Sequence, residues 1–188
     1  RVMRMRSRLP VLLVLLCLTA PLGGQAPPPE PTPEAGLASS LAAAPDEAAR
    51  QALLAGATVT PALVQAVVDE AQASLGRGDV GRAFDLYGLA ERLARQIDDQ
   101  AGLAAALHGR GETHRVRGEY PAARALFEQG LPVARAAAAT FVEGRLLAGL
   151  GLVAEWEGDL DGSLALHEQS LQRFEAAGSW RGQALATN

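Results

Sequence analysis

Residues 103–130 read LAAALHGRGETHRVRGEYPAARALFEQG, and this stretch decides the fold of the 188-residue chain. Apolar residues at helical spacing lie on both sides of Gly118-Glu119-Tyr120. Glycine readily adopts the left-handed conformation that ends a helix, and an acidic residue just after it favours the start of the next helix. The stretch therefore predicts two helices joined by a tight turn.

The turn recurs at a fixed interval along the chain. Gly78-Asp79-Val80, Gly118-Glu119-Tyr120 and Gly158-Asp159-Leu160 follow one another every 40 residues. A fixed period of this length is typical of stacked helical units. We expect seven helices, at about 61–76, 80–97, 100–117, 120–138, 141–157, 160–176 and 180–188. Pro132 lies inside the fourth, where a missing N–H should kink or shorten the helix.

Positions counted from each turn glycine carry similar residue types in the three units. In the first helix a large apolar position is followed by a small one, and these are Val67, Leu107 and Leu147, then Ala71, Gly111 and Gly151. The second helix has a small, an aromatic and another small position, occupied by Ala83, Ala123 and Ser163, by Tyr87, Phe127 and His167, and by Ala90, Gly130 and Ser170. With this pattern residues 61–188 resemble tetratricopeptide repeats of a 40-residue subclass. The resemblance implies an all-α, right-handed solenoid of antiparallel helix pairs, about three repeats plus a truncated fourth.

Residues 1–24 are predicted to be a signal peptide. VLLVLLCL at 11–18 is its apolar region, and Gly23 and Gly24 supply small residues for cleavage. The positive region before it contains Arg1, Arg4, Arg6 and Arg8. The apolar run is well short of the roughly 20 residues that span a bilayer. We therefore expect a protein exported to the periplasm or the exterior, with no membrane span after cleavage; anchoring by an uncleaved signal is the alternative.

Two short regions connect the signal to the repeats. Residues 25–36 are rich in Pro and predict a disordered linker. Residues 37–60 predict a short helical lead-in, in which Pro45 opens a helix and Thr60 caps the next one. The expected apolar face of this helix consists of Ala48, Ala52, Leu53 and Ala55.

Residues 45–79, PDEAARQALLAGATVTPALVQAVVDEAQASLGRGD, carry a second and looser resemblance. They are similar to the segment that precedes the repeats in bacterial tetratricopeptide-repeat proteins with a caspase-like CHAT domain. The last residues, GQALATN, have the register of another repeat. These observations imply an alternative in which the chain is the regulatory N-terminal part of a larger CHAT-type peptidase, truncated at Asn188.

Charge and cysteine content exclude several classes of function. The formal net charge is -4, and the residues after the predicted signal are more acidic still, which argues against nonspecific nucleic-acid binding. The only cysteine, Cys17, permits neither an internal disulfide nor a cysteine metal site.

Enzyme signatures are also missing from the sequence. The three histidines are His108, His114 and His167, and their positions do not predict three converging metal ligands. There is no G-x-S-x-G motif, and the glycines of 109–118 do not form a phosphate-binding loop. We therefore predict no catalytic, cofactor or metal site.

The resemblance implies that ligands bind in a concave groove lined by the first helix of each pair. The positions that carry over are Gln65, Val68 and Gln72, then Ala105, His108, Glu112 and Arg115, then Arg145, Ala148, Leu152, Glu155 and Trp156. Arg145 and Trp156 are the expected anchors of a protein or peptide partner, because Arg and Trp often dominate binding energy. The alternative for both is ordinary surface or inter-repeat packing. Self-association through an uncapped C-terminal end is a further alternative.

Overall fold

The computed structural model describes residues 31–178, which form an all-α stack. Eight helices lie in this part of the chain: α1 Pro33–Ala43, α2 Glu47–Ala55, α3 Pro61–Gly76, α4 Val80–Gln96, α5 Gln100–Val116, α6 Tyr120–Ala136, α7 Thr140–Glu157 and α8 Leu160–Ala176. They pack in sequential antiparallel pairs. None of these eight is long and apolar enough to cross a membrane. The predicted signal peptide at 1–24 and the predicted last helix at 180–188 lie outside the described residues.

The six helices predicted between residues 61 and 176 are confirmed to within two residues at each end. The expected effect of Pro132 on helix length is wrong. Helix α6 continues through Pro132 to Ala136 and has 17 residues, the same number as α4 and α5. Gly130 and Ala134 are buried on either side of Pro132. Their packing against neighbouring helices holds the helix through the position where one backbone hydrogen bond is missing.

The turns between helices follow a 20-residue period, half the interval seen in the sequence. A residue with positive φ ends every helix from α3 to α8, namely Gly78, Asp98, Gly118, Ala138, Gly158 and Gly178. At the first five of these turns, the N–H of the next residue donates to a carbonyl five residues back, as in Asp79 to Ser74 and Asp99 to Ala94. This is the Schellman arrangement. The same turn therefore joins helices within a pair and between pairs.

Four of the helices in the repeat region begin with a side-chain cap. Thr60, Asp79, Asp99 and Asp159 each accept a hydrogen bond from the backbone N–H three residues on, at 2.9–3.2 Å. The predicted capping role of Thr60 is therefore confirmed. Each cap satisfies a donor that the helix itself leaves unpaired.

The N-terminal lead-in differs from its prediction at both helices. Helix α1 begins at Pro33, inside the segment predicted as linker to residue 36, because Thr32 Oγ1 accepts from the Ala35 N–H at 3.2 Å and caps the helix. Helix α2 begins at Glu47 with Asp46 as its cap, so Pro45 precedes the helix rather than occupying its first turn.

The predicted apolar face of α2 is also wrong. Ala48, Ala52, Leu53 and Ala55 are exposed, whereas Leu54 packs against the core. Polar contacts set this orientation: Arg50 Nε donates to the Leu41 carbonyl at 3.3 Å, and Arg92 pairs with Glu47 at 3.2 Å.

The core is built from aromatic rings of the second helices that lie against glycines of the first helices. The Phe127 ring is so close to Gly111 and Gly149 that a Cβ at either would lie within 2.7 Å of a ring carbon. Tyr87 packs in the same way on Gly109, and His167 on Gly151. The positions predicted to be large and apolar are confirmed as buried, with Val67, Leu107 and Leu147 at most 2% exposed.

Candidate binding groove

Two adjoining hollows lie along the first helices of the repeat region. One, of about 230 Å³, lies between α5, α7 and α8, and the other, of about 330 Å³, lies between α3, α5 and α7 with Tyr87 of α4. They share Glu112, Arg115 and Arg145. We refer to the two hollows together as the groove.

Six of the ten predicted partner residues line the groove, as does Ala148: they are Gln72, His108, Glu112, Arg115, Arg145 and Leu152. These residues come from three helices and are brought together by the stacking of α3, α5 and α7. On α5 and on α7 they recur at spacings of three or four, so that they follow one face of each helix.

The other predicted residues lie elsewhere. Val68 is only 4% exposed and belongs to the hydrophobic core. Gln65 lines a separate hollow between α1 and α3, where its Nε2 donates to Asp69 at 2.8 Å. Glu155 is exposed outside the residues that line the groove. Trp156 is 57% exposed and stacks on Tyr120.

Three residues that line the groove were not predicted from the sequence as groove residues. They lie on second helices and are Tyr87, His167 and Phe174. The pattern identified Tyr87 and His167 as packing positions, and the groove was expected to involve first helices alone. The signal that could have found them is the series of glycines at 109, 149 and 151. Because these glycines have no side chain, rings from the second helices reach between the first helices.

The charges of Glu112 and Arg115 in the groove compensate each other, because the two side chains form an ion pair. Arg115 donates to Glu112 through Nη2 at 2.9 Å and through Nε at 3.2 Å. The hydrogen bond to Glu112 raises the pKa of Arg115 above its ordinary value. Both charges are therefore held on the groove wall with little net field at a distance.

Arg145 differs from Arg115 in having no such partner. Its guanidinium makes no hydrogen bond or ion pair with any side chain or carbonyl in residues 31–178. Burial lowers the pKa of Arg145, although the phenolate form of Tyr87 and the Glu112 carboxylate oppose this effect. The side chain stays charged at neutral pH because an arginine pKa lies far above 7.

The Tyr87 hydroxyl is a second polar group without a protein partner in the described residues. Tyr87 is 2% exposed, and its burial raises the pKa of the phenol to about 12. The ring packs against Gly109, while the residue also lines the hollow that Arg145 lines. The Tyr87 hydroxyl is therefore a neutral donor throughout the physiological pH range.

His108 is buried and uncharged. Its side chain is 5% exposed, and its ring centroid lies 5.8 Å from that of Phe127. Burial is the main cause that lowers the pKa of His108 well below 6.5, and the charges of Arg145 and Arg115 act in the same direction.

The imidazole of His167 has a buried Nδ1 without a hydrogen-bond partner among the described residues.

A hollow of about 380 Å³ lies on another face, between α2, α4 and α5. Several of its polar groups pair with one another, since the buried Glu91 pairs with both Arg95 and Arg110. Arg110 also lies over the Phe84 ring with its guanidinium carbon 5.1 Å from the centroid, while its Nε has no hydrogen-bond partner among the described residues. This network fixes α4 against α5. Residues 31–178 contain no group of three His, Cys, Asp or Glu side chains able to hold a metal ion.

No protein-family model matches the chain, and the curated proteins contain no match to it. The packing of paired antiparallel helices is consistent with a helical repeat.

Proposed function

We propose that residues 61–178 are tetratricopeptide repeats and that the protein is a noncatalytic scaffold that binds a protein or peptide in the groove. The residues at the repeat positions support this proposal, because the small positions Ala71, Ala83, Ala90 and Ala123 are fully buried. Small residues at helix contacts allow the close approach on which stacked repeats depend.

The pattern of helix contacts also supports a curved solenoid. Helix α3 contacts α5, and α5 contacts α7, whereas no comparable contact joins α4 to α6 or α6 to α8 within residues 31–178. Helices that lie closer together on one side of a stack curve it toward that side. The groove residues of α3, α5 and α7 would then lie on the concave surface.

The single observation that carries the proposal is the composition of the groove. Apolar Leu152 and Ala148 lie beside the uncompensated Arg145. Leu152 is 39% exposed, whereas its neighbours Gly151 and Val153 on α7 are buried. An apolar surface with a few converging polar groups is typical of ligand sites, and a rigid stack lowers the ordering cost of binding.

A peptide library displayed on phage, selected against the full chain, tests this function. Peptides that bind the groove should lose about tenfold or more in affinity for the Leu152→Glu variant. The matched control is Leu164→Glu, which changes an exposed leucine of α8 that does not line the groove. Selected peptides whose affinity is the same for both variants and the wild type would contradict a groove function. An equal loss of peptide affinity in the two variants would also contradict it.

Self-association is a second candidate, favoured by Leu160 and Leu164, which are 67% and 60% exposed. The equivalent positions 40 residues earlier are Tyr120 and Arg124, and the following helix covers both. Tyr120 stacks on Trp156 of that helix, and Arg124 pairs with its Glu157. A second copy that covers the two leucines would give a mass that rises with concentration in sedimentation equilibrium. Leu164→Glu should abolish that rise, and a wild-type mass that stays monomeric would remove this candidate.

A further inference from the structure

Four arginines line the hollow of about 380 Å³ between α2, α4 and α5, which we call the arginine hollow. They are Arg50 of α2, Arg92 and Arg95 of α4, and Arg110 of α5. Three acidic residues also line it, namely Glu47, Asp85 and Glu91. The groove is lined by different residues, so a ligand of the arginine hollow would bind independently of a groove ligand.

One carboxylate and two guanidiniums form the buried part of the arginine hollow. Glu91 is 5% exposed and pairs with both Arg95 and Arg110, so that one negative charge is shared by two positive charges. Of the three guanidinium nitrogens of Arg110, only Nη1 has a hydrogen-bond partner among residues 31–178. Arg110 therefore has donors that the fold does not use, and leaving such donors without an acceptor is costly.

Glu47, Arg50 and Arg92 form a second group of the same composition. Glu47 Oε1 accepts from Arg92 Nη2 at 3.2 Å, and Glu47 Oε2 lies 3.7 Å from Arg50 Nη1. One carboxylate is again shared by two guanidiniums. The two groups together therefore carry two more positive charges than negative charges, and an anionic ligand group in the hollow would compensate this excess.

The rest of the lining suits a polar ligand. Asp85 is exposed and has no ion pair or side-chain hydrogen bond within residues 31–178. Water screens its charge, and its carboxylate can accept from hydroxyl groups of a ligand. Phe84 contributes an apolar ring, but the guanidinium carbons of Arg110 and Arg117 lie 5.1 and 4.8 Å from the ring centroid. The ring therefore interacts with protein cations and offers little surface to an apolar ligand group.

We propose that the arginine hollow binds a small sugar phosphate. The phosphate accepts hydrogen bonds from the guanidiniums of Arg92 and Arg110, which present paired N–H donors to its oxygens, and Asp85 accepts from a sugar hydroxyl. A phosphate monoester carries about −1.5 to −2 charges at pH 7, which matches the excess of the two arginine groups. The volume of about 380 Å³ lies within the range of about 300–1,000 Å³ that small-molecule sites occupy.

Isothermal titration of four probes into the full-length protein at pH 8 measures this binding. Glucose 6-phosphate has both the phosphate and the hydroxyls, glucose has only the hydroxyls, and methyl phosphate has only the phosphate. Vesicles of phosphatidylglycerol present a phosphate diester on a lipid surface. We expect glucose 6-phosphate to bind about tenfold or more tightly than glucose and about fivefold more tightly than methyl phosphate, because hydrogen bonds to charged groups are the strong ones.

Variants of two arginines that lie over the same ring separate the hollow from its surroundings. Arg110→Gln should weaken binding of glucose 6-phosphate about tenfold or more. Arg117→Gln is the matched control and should leave the affinity unchanged, because Arg117 lies over the Phe84 ring without lining the hollow. Arg92→Gln should weaken binding about threefold or more while leaving the buried Glu91 group intact. It keeps the test valid if thermal unfolding shows that Arg110→Gln lowers stability.

Asp85→Ala tests the sugar, since it should reduce the preference for glucose 6-phosphate over methyl phosphate toward one. Equal affinity of the wild type, Arg92→Gln and Arg110→Gln for glucose 6-phosphate would overturn the inference. A preference that survives Asp85→Ala would overturn the assignment of the sugar. Binding of the vesicles without binding of glucose 6-phosphate would also overturn it, in favour of a lipid headgroup. Leu152→Glu changes the groove alone and should leave the affinity for glucose 6-phosphate unchanged.

Discussion

The indole ring of Trp156 stacks on the phenol ring of Tyr120, with centroids 4.2 Å apart and planes 15° from parallel. Tyr120 opens α6 and Trp156 lies in the last turn of α7, so the stack joins the second helix pair to the third. Beside it Arg124 donates to Glu157 at 2.5 Å. Trp156 therefore packs between neighbouring pairs, and its role as a partner anchor stays a prediction.

Removing this stack should destabilise the fold measurably. Trp156→Ala is expected to lower the free energy of unfolding by about 1 kcal/mol, because stacked aromatic pairs contribute about 0.5–1.5 kcal/mol beyond the area they bury. A double-mutant cycle with Tyr120→Ala, measured by urea unfolding, isolates the pair from its surroundings. Additive effects of the two changes would show that the rings do not stabilise one another.

The rings packed against glycine predict opposite results for two similar substitutions. Gly149→Ala should destabilise by about 1–3 kcal/mol, because its Cβ would lie 2.7 Å from the Phe127 ring and force it to shift. Gly88→Ala is the matched control in α4: no atom lies within 4 Å of its Cβ position. In Gly88→Ala the higher helix propensity of alanine should raise the free energy of unfolding by about 0.5–1 kcal/mol. Changes of the same sign in chemical unfolding would contradict this packing.

Ala138 has φ 51°, a conformation that glycine adopts without the penalty of a side chain. Ala138→Gly should therefore stabilise the protein by about 0.5–1 kcal/mol, the balance between relieved strain and greater unfolded-state entropy. The neighbouring Ala137 has φ -82°, so Ala137→Gly should destabilise by about 0.4–1 kcal/mol. Thermal melts of both variants test the left-handed turn; a destabilising Ala138→Gly would argue against it.

His108 makes stability depend on pH. In the fold its pKa lies well below 6.5, whereas in the unfolded chain it titrates near 6.5. The unfolded state therefore binds more protons as pH falls below about 6.5, and the folded state loses up to about 1.4 kcal/mol per pH unit down to the folded pKa. Urea unfolding at pH 7.5, 6.5 and 5.5 should show this loss. His108→Leu should reduce it, and an identical pH dependence in both proteins would contradict a neutral buried imidazole.

The export prediction concerns residues outside the structural description and is tested chemically. If residues 1–24 are a cleaved signal, intact-mass spectrometry of the protein from its native host should give an N-terminus at or near Gln25. A mature protein that retains Met3 or Met5 would show that this segment stays attached.

Local chemistry made most of the fold predictable. Apolar residues at helical spacing predicted the helices from Pro61 to Ala176. Thr60, Asp79 and Asp159 marked the starts of three of them, because a cap depends on neighbours only a few residues away. The glycines at 78, 118 and 158 marked alternate turns. The turns at Asp98 and Ala138 carry no glycine, so the 20-residue period was not visible in the sequence.

The sequence by itself determined the helices, half of the turns and which residues are large or small at the contacts, since each depends on local conformational preference. Only the tertiary structure decided that Val68 is core, that Trp156 packs on Tyr120, and that Tyr87 reaches the groove. The tertiary structure alone also shows that Arg145 has no hydrogen-bond or ion-pair partner among residues 31–178. These features depend on which side chains from different helices meet, and the distance between such residues in the chain leaves no local trace.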